Sequence, residues 1–158
     1  RECGEDSAVV FVPAFNGLGA PYWDAAARGT LFGVTAGTAP AHILRAGLDA
    51  VAYTVKDILS VMPPCKALVA DGGMCANEYL MEKQANVLGQ PVLCPENREG
   101  TITGVGYLMC LSLGLFQSLE EIPQSFRDRK IVPGREDVKG YAQWKRAVNA
   151  TIDFYKQS

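Results

Sequence analysis

The sequence predicts an α/β domain with a partly parallel sheet, and three observations carry that expectation. Short apolar runs alternate with helical patterns along the 158 residues. The run Lys66–Ala70 suits a strand buried between helices. That run passes through Asp71-Gly72-Gly73 into a helical pattern opened by Asn77, the strand–turn–helix order of a ligand pocket.

Taken in order, Ala8–Val12 reads as a strand that Pro13 ends, and Phe15–Asp24 as a loop rich in glycine, proline and aromatics. Thr30–Thr35 reads as a second strand. Thr38 suits a helix N-cap, with Pro40 tolerated in the first turn. Ile43, Leu44, Leu48, Val51, Ala52, Val55 and Leu59 then recur at helical spacing up to Pro63-Pro64. Asn77–Leu88 forms the next helix, closed by Gly89. Pro91–Cys94 is a short strand, Gly100–Phe116 a helix, and Lys130–Val132 a strand or extended piece. A final helix over Asp137–Lys156 sets Tyr141, Trp144, Val148, Ile152 and Tyr155 along one stripe. That stripe reads as a face docked on its own domain, the alternative being a surface for a partner domain or subunit.

Composition narrows the function classes. Hydrophobic residues make up 48% and charged residues 20%, an ordinary globular balance. The net charge of −2 offers no basic field for nucleic acid or an anionic membrane. Residues 100–119 carry no charge, and about 20 such residues reach across a bilayer. Thr101, Thr103, Ser112, Gln117, Ser118 and four glycines dilute the run, so it reads as a helix buried in the domain, with Cys110 as a small core residue. The five cysteines are scattered singly and His42 is the lone histidine, which speaks against a zinc site and for reduced thiols in a reducing, cytoplasmic compartment. The chain opens on Arg1 rather than methionine, which suggests a segment of something longer.

The chemistry gathers at residues 68–77. Paired glycines let a ligand approach the backbone N–H groups, and a following helix turns its positive end toward the same place. Taken alone, Gly72-Gly73 is a tight turn and Asn77 a helix N-cap. Asp71 reads as a carboxylate accepting turn N–H bonds rather than as a base or metal ligand. Cys75, beside the turn, is either a thiol sensitive to oxidation or a bystander, and the second reading is the better one.

Three segments together resemble one family. Phe11-Val-Pro-Ala-Phe-Asn-Gly-Leu-Gly-Ala-Pro-Tyr-Trp-Asp24, with Arg28-Gly29 following, is the first. The second is Gly29-Thr-Leu-Phe-Gly33-Val34, then seven residues, then His42-Ile-Leu-Arg-Ala-Gly-Leu-Asp49. In it Gly47 departs from the family pattern, which has a larger residue there. The third is Asp71-Gly72-Gly73 with Asn77 and Leu80-Met81, joined by Glu99-Gly-Thr101-Ile-Thr-Gly104. On these the chain resembles the C-terminal part of the FGGY carbohydrate kinases, over nearly its whole length. The Gly17-Leu-Gly-Ala-Pro-Tyr-Trp23 wording is similar to the branch that phosphorylates glycerol, rather than to the pentulose and gluconate branches.

What the resemblance implies is a ribonuclease-H-like, actin-like ATPase fold, of which residues 1–158 would be the later portion of the second domain, the N-terminal domain being absent. It implies an ATP-dependent kinase giving sn-glycerol 3-phosphate, with ATP or ADP and Mg²⁺ in the complete enzyme. Gly72, Gly73 and Asn77 would contact the nucleotide; no catalytic residue and no metal ligand would lie in this chain. Glycerol would be held by the absent domain, so the isolated chain should be inactive. Complete relatives form homodimers or homotetramers. The aromatics of Phe15–Trp23 would pack at the junction of the two domains, the alternative being a ligand platform. The alternatives are another FGGY sugar or polyol kinase, such as a xylulokinase, or a non-catalytic nucleotide-binding module.

Overall fold

Two sheets and four helices make up the fold, which a computed structural model describes over residues 8–65, 68–96, 99–122 and 128–156. Strands β1 (Val10–Val12) and β2 (Thr30–Phe32) form an antiparallel pair, with Val10 opposite Phe32 and Val12 opposite Thr30. In the other sheet β3 (Leu68–Val69) runs parallel to β4 (Val92–Pro95), and β5 (Asp128–Ile131) pairs antiparallel on the far side of β4. The mixed character expected of the sheet is therefore present. β5 lies two residues earlier at its start than the extended piece read from sequence, because Arg129 is opposite Cys94 in the ladder.

Helix α1 (Pro40–Ser60) packs on β1 and on α2 (Glu78–Leu88), while α4 (Val138–Lys156) lies across β1. Ala39, not Thr38, precedes the first turn of α1. Its N–H donates to His42 Nδ1 at 3.0 Å, whereas the Thr38 hydroxyl is taken by the Thr35 N–H at 2.8 Å. The buried face of α1 holds Ala46, Ala50, Tyr53 and Asp57, spaced one helical turn apart; Leu44 and Val51 point outward. Small side chains there let β1 and α2 approach the helix closely. The stripe predicted on α4 does dock on its own domain: Trp144, Val148 and Ile152 are buried in the core beside Val12, Val87 and Val92. Burial of each such side chain contributes roughly 1.5–3 kcal/mol.

Helix α3 (Gly100–Ser112) departs from its expected burial. None of its residues is buried, Leu108 is 63% exposed, and Leu113 beyond its end is 72% exposed. Cys110 is correspondingly half-buried, not a core residue. No helix among the described residues is long and apolar enough to cross a membrane.

Two polar networks tie the helices together. Asp57, fully buried, accepts from Tyr22 Oη (2.6 Å) and Trp144 Nε1 (2.9 Å) on Oδ2, and from Tyr141 Oη (2.6 Å) and Lys145 Nζ (3.1 Å) on Oδ1. Lys83 bridges Asp49 (3.3 Å) and Asp137 (2.6 Å), and these accept from Tyr79 Oη and Tyr53 Oη at 2.6 Å each. Burial first, and then the carboxylates they bond, push Tyr22, Tyr53, Tyr79 and Tyr141 well above the ordinary 10.0 of a tyrosine. Burial works against ionised Asp137, but hydrogen bonds from Lys83 and Tyr53 outweigh it and hold its carboxyl below the usual range.

The sign of the alkaline effect follows. Folded tyrosines that keep their protons contribute stability fully present below about pH 10, and lost as pH rises above it, because the unfolded chain then releases protons that the folded chain retains. An alkaline titration should therefore show tyrosinate absorbance from these four residues arriving together with the loss of helical circular dichroism. Tyrosinate from all four at pH 10 in a fully helical protein would contradict it. Asp137 acts with the opposite sign, its contribution being present above the carboxylate range and lost as pH falls through it.

Candidate functional site

The apolar strand β3 delivers the chain to Asp71 at the edge of the second sheet, where the backbone must turn sharply. Asp71 Oδ1 accepts from the Gly72 N–H at 2.6 Å, the turn-bonding role expected of it. Gly72 has φ 93° and ψ 178°, a backbone conformation essentially confined to glycine. No heavy atom beyond its chain neighbours lies within 4 Å of where a Cβ would stand on Gly72 or Gly73, so both glycines present bare backbone to open space.

A single 3₁₀ turn, Gly73–Ala76, then intervenes before α2, so the glycines do not pass directly into the helix as the sequence suggested. Cys75 alone in this turn is buried, at 3% exposure, and roots it in the core. Its thiol belongs to the packing, as the bystander reading had it. Asn77 caps α2: its Oδ1 accepts from the Leu80 N–H at 3.0 Å. The amide is thus already committed at its acceptor end, and its Nδ2 is the donor left for a ligand. Gly89 closes the same helix in the left-handed conformation, as predicted.

Two distant elements reach the turn. Gly100, the first residue of α3, packs so closely on Asp71 that a Cβ there would overlap Asp71 Oδ2. Arg129 of β5 donates from Nη2 to the Cys75 carbonyl at 3.0 Å and lies 3.7 Å from the Glu78 carboxylate. Sequence reasoning missed Arg129, and no local signal marks a single arginine in a short extended piece as a partner of a turn 54 residues earlier. Within the aromatic loop the residues divide: Tyr22 turns inward to Asp57, whereas Phe15 (70% exposed) and Trp23 (79%) face outward.

A cavity of about 390 Å³ lies elsewhere, among β1, α1 and the start of α4, and includes Arg45, Asp49, Lys83 and Asp137 in its lining but none of residues 71–77. Its Lys83, Asp49 and Asp137 are spent on one another.

The arrangement at 71–77 offers bare backbone with room beside it, and an Asn77 amide whose oxygen is already bonded within the helix cap. It does not fit Mg²⁺ by itself. Among the described residues no three His, Cys, Asp or Glu side chains gather, and the oxygens of Asp71 are turned to Gly72 N and to Gly100.

The sequence pattern of the FGGY family of carbohydrate kinases, C-terminal domain, matches residues 4–113. The chain belongs to the FGGY carbohydrate kinases. The FGGY chain is 43% identical to a glycerol kinase of Pseudomonas fluorescens, with 97% of the chain and 32% of that relative covered. It is 44% identical to a glycerol kinase of Aromatoleum aromaticum, over 91% and 31%. In three dimensions it is similar to the Plasmodium falciparum glycerol kinase solved with ADP, at TM-score 0.76 and 28% identity over 92% of the chain and 31% of that structure. A xylulose kinase of Rhodospirillum rubrum shares the fold at TM-score 0.73 and 23% identity, over 95% and 32%. The fold is thus the actin-like ATPase type of the FGGY family, as the resemblance implied. The chain spans about a third of the length of the curated relatives it matches.

Proposed function

We propose that this chain is the nucleotide-binding later portion of an ATP-dependent glycerol kinase, in which Gly72, Gly73 and Asn77 form the adenosine-side wall. The observation that carries this is 40–44% identity to glycerol kinases across nearly the whole chain, with the bare Gly72-Gly73 backbone at its centre. Phosphoryl transfer needs a positioned hydroxyl, a base and charge neutralisation around the phosphates, Mg²⁺ included. In this reading those parts belong to the two-thirds of the relatives' length that this chain does not cover. Residues 1–158 are then one partial domain, and Phe15 and Trp23 face the other domain. A cytoplasmic location follows from the scattered cysteines, and a homodimer or homotetramer from the family's habit.

The test compares the complete polypeptide with residues 1–158 alone, supplying ATP, Mg²⁺ and, in turn, glycerol, xylulose and gluconate. The complete protein should show its highest kcat/KM on glycerol, and the isolated chain should give no turnover above background. Best efficiency on xylulose would move the assignment to another branch of the family. Turnover by the isolated chain would overturn the division of the site.

A further inference from the structure

We propose that Arg129 is a positioning residue for the nucleotide wall, holding the 3₁₀ turn Gly73–Ala76 to the sheet from strand β5. The proposal rests on the nucleotide reading above. The turn is short, and a four-residue 3₁₀ segment has poor hydrogen-bond geometry and little stability of its own. Gly73, Met74 and Ala76 are exposed, so packing fixes the turn only through Cys75. The carbonyls at the end of such a turn have no partner within it. Cys75 O finds one in Arg129 Nη2 at 3.0 Å, a bond strengthened by the donor's charge.

Arg129 is itself held in place by the sheet. β5 pairs with β4 from Val92–Ile131 through Pro95–Asp128, with Arg129 opposite Cys94, so the guanidinium starts from a fixed backbone. Its second contact, Nη1 to Glu78 Oε1 at 3.7 Å, is long and largely solvated, and a pair of that kind contributes little. The bond to Cys75 O therefore carries the role. From the other side Gly100 packs on Asp71, which bonds Gly72. The turn is thus held just before its first residue, through Asp71 and Gly72, by α3 and at its third residue by β5. Without Arg129 the Cys75 carbonyl loses this charged donor, the turn is held less firmly to the sheet, and a nucleotide has more of the wall to order as it binds.

The experiment uses the complete polypeptide, with ADP titration and steady-state kinetics in ATP. Arg129→Ala is expected to raise ADP Kd and ATP KM together by about five- to twentyfold, with kcat changed less than about twofold. Arg129→Lys keeps the charge and the stem and should recover part of the loss. Glu78→Gln, which removes the solvated pair and leaves the carbonyl bond, should change Kd less than about twofold. Thermal midpoints of the variants separate positioning from unfolding, since a merely structural arginine would lower the midpoint and active fraction and leave KM alone. An unchanged KM in Arg129→Ala, or an equal effect from Glu78→Gln, would overturn the proposal. Failure of the unsubstituted protein to bind ADP would instead overturn the nucleotide reading beneath it.

Discussion

Asp57→Ala is expected to destabilise the fold by about 3–5 kcal/mol, the usual cost of stripping one partner from a buried charged network. A domain of this size holds only about 5–15 kcal/mol in total, so the variant should sit close to unfolding at room temperature. The cause is specific. Four donors converge on a carboxylate with 0% exposure: two tyrosine hydroxyls, the Trp144 indole and the Lys145 ammonium. Alanine leaves the buried indole with no acceptor and strips both half-buried tyrosine hydroxyls of theirs. Asp57→Asn keeps the volume but replaces one acceptor oxygen with an amide donor facing donors, and should cost somewhat less. Lys145→Met should cost least of the three, because Lys145 is partly solvated and three donors remain. Urea unfolding followed by circular dichroism gives the order directly. A midpoint for Asp57→Ala equal to that of the unsubstituted chain would refute this account of the network.

Gly72→Val should weaken ADP binding by the complete protein roughly tenfold or more, because the backbone conformation at Gly72 costs any other residue about 1–3 kcal/mol. With φ 93° and ψ 178° the difficulty lies in the main chain, not in crowding, since space is open around the position. A β-branched side chain restricts the turn further, and the N–H that bonds Asp71 swings away. Gly73 offers an internal contrast. It does not have positive φ, and space is open there too. Gly73→Ala should hold stability within about 0.5 kcal/mol, while placing a methyl on the face proposed for the nucleotide. Calorimetric titration with ADP alongside thermal unfolding separates the two. Normal ADP affinity in both variants would remove this turn from the binding site.

How much of this was legible depends on what kind of signal each residue gives. Gly89 and Asn77 end and begin α2 as their backbone and side-chain chemistry require, and both effects are local. The α4 stripe was legible because its partners are in the same chain. The uncharged run of α3 predicts burial without saying against what, and among the described residues little packs on it. α1 misleads for another reason. Leu44 and Val51 of its apolar set lie outward, whereas alanines, Tyr53 and an aspartate make up the buried face. An aspartate in a helix normally signals solvent, and only the three-dimensional meeting of Tyr22, Tyr141, Trp144 and Lys145 makes burial of Asp57 affordable. At the candidate site, Asp71, Gly72 and Asn77 announced a turn and a cap. The grip of Gly100 and Arg129 on that turn is a property of the tertiary fold and has no local trace.

The position of β1 sets a timetable for the growing chain. This strand is covered by α4, which follows it far along the chain. At translation rates of roughly 5–20 residues per second, Val138 follows Val12 by on the order of ten seconds. During that interval Val12 has α1 to lean on but not the helix that completes its enclosure. Enclosure of β1 therefore waits for α4 to leave the ribosome, and premature termination before Trp144 would leave a nascent chain with Val12 and its neighbours open to chaperones and proteases.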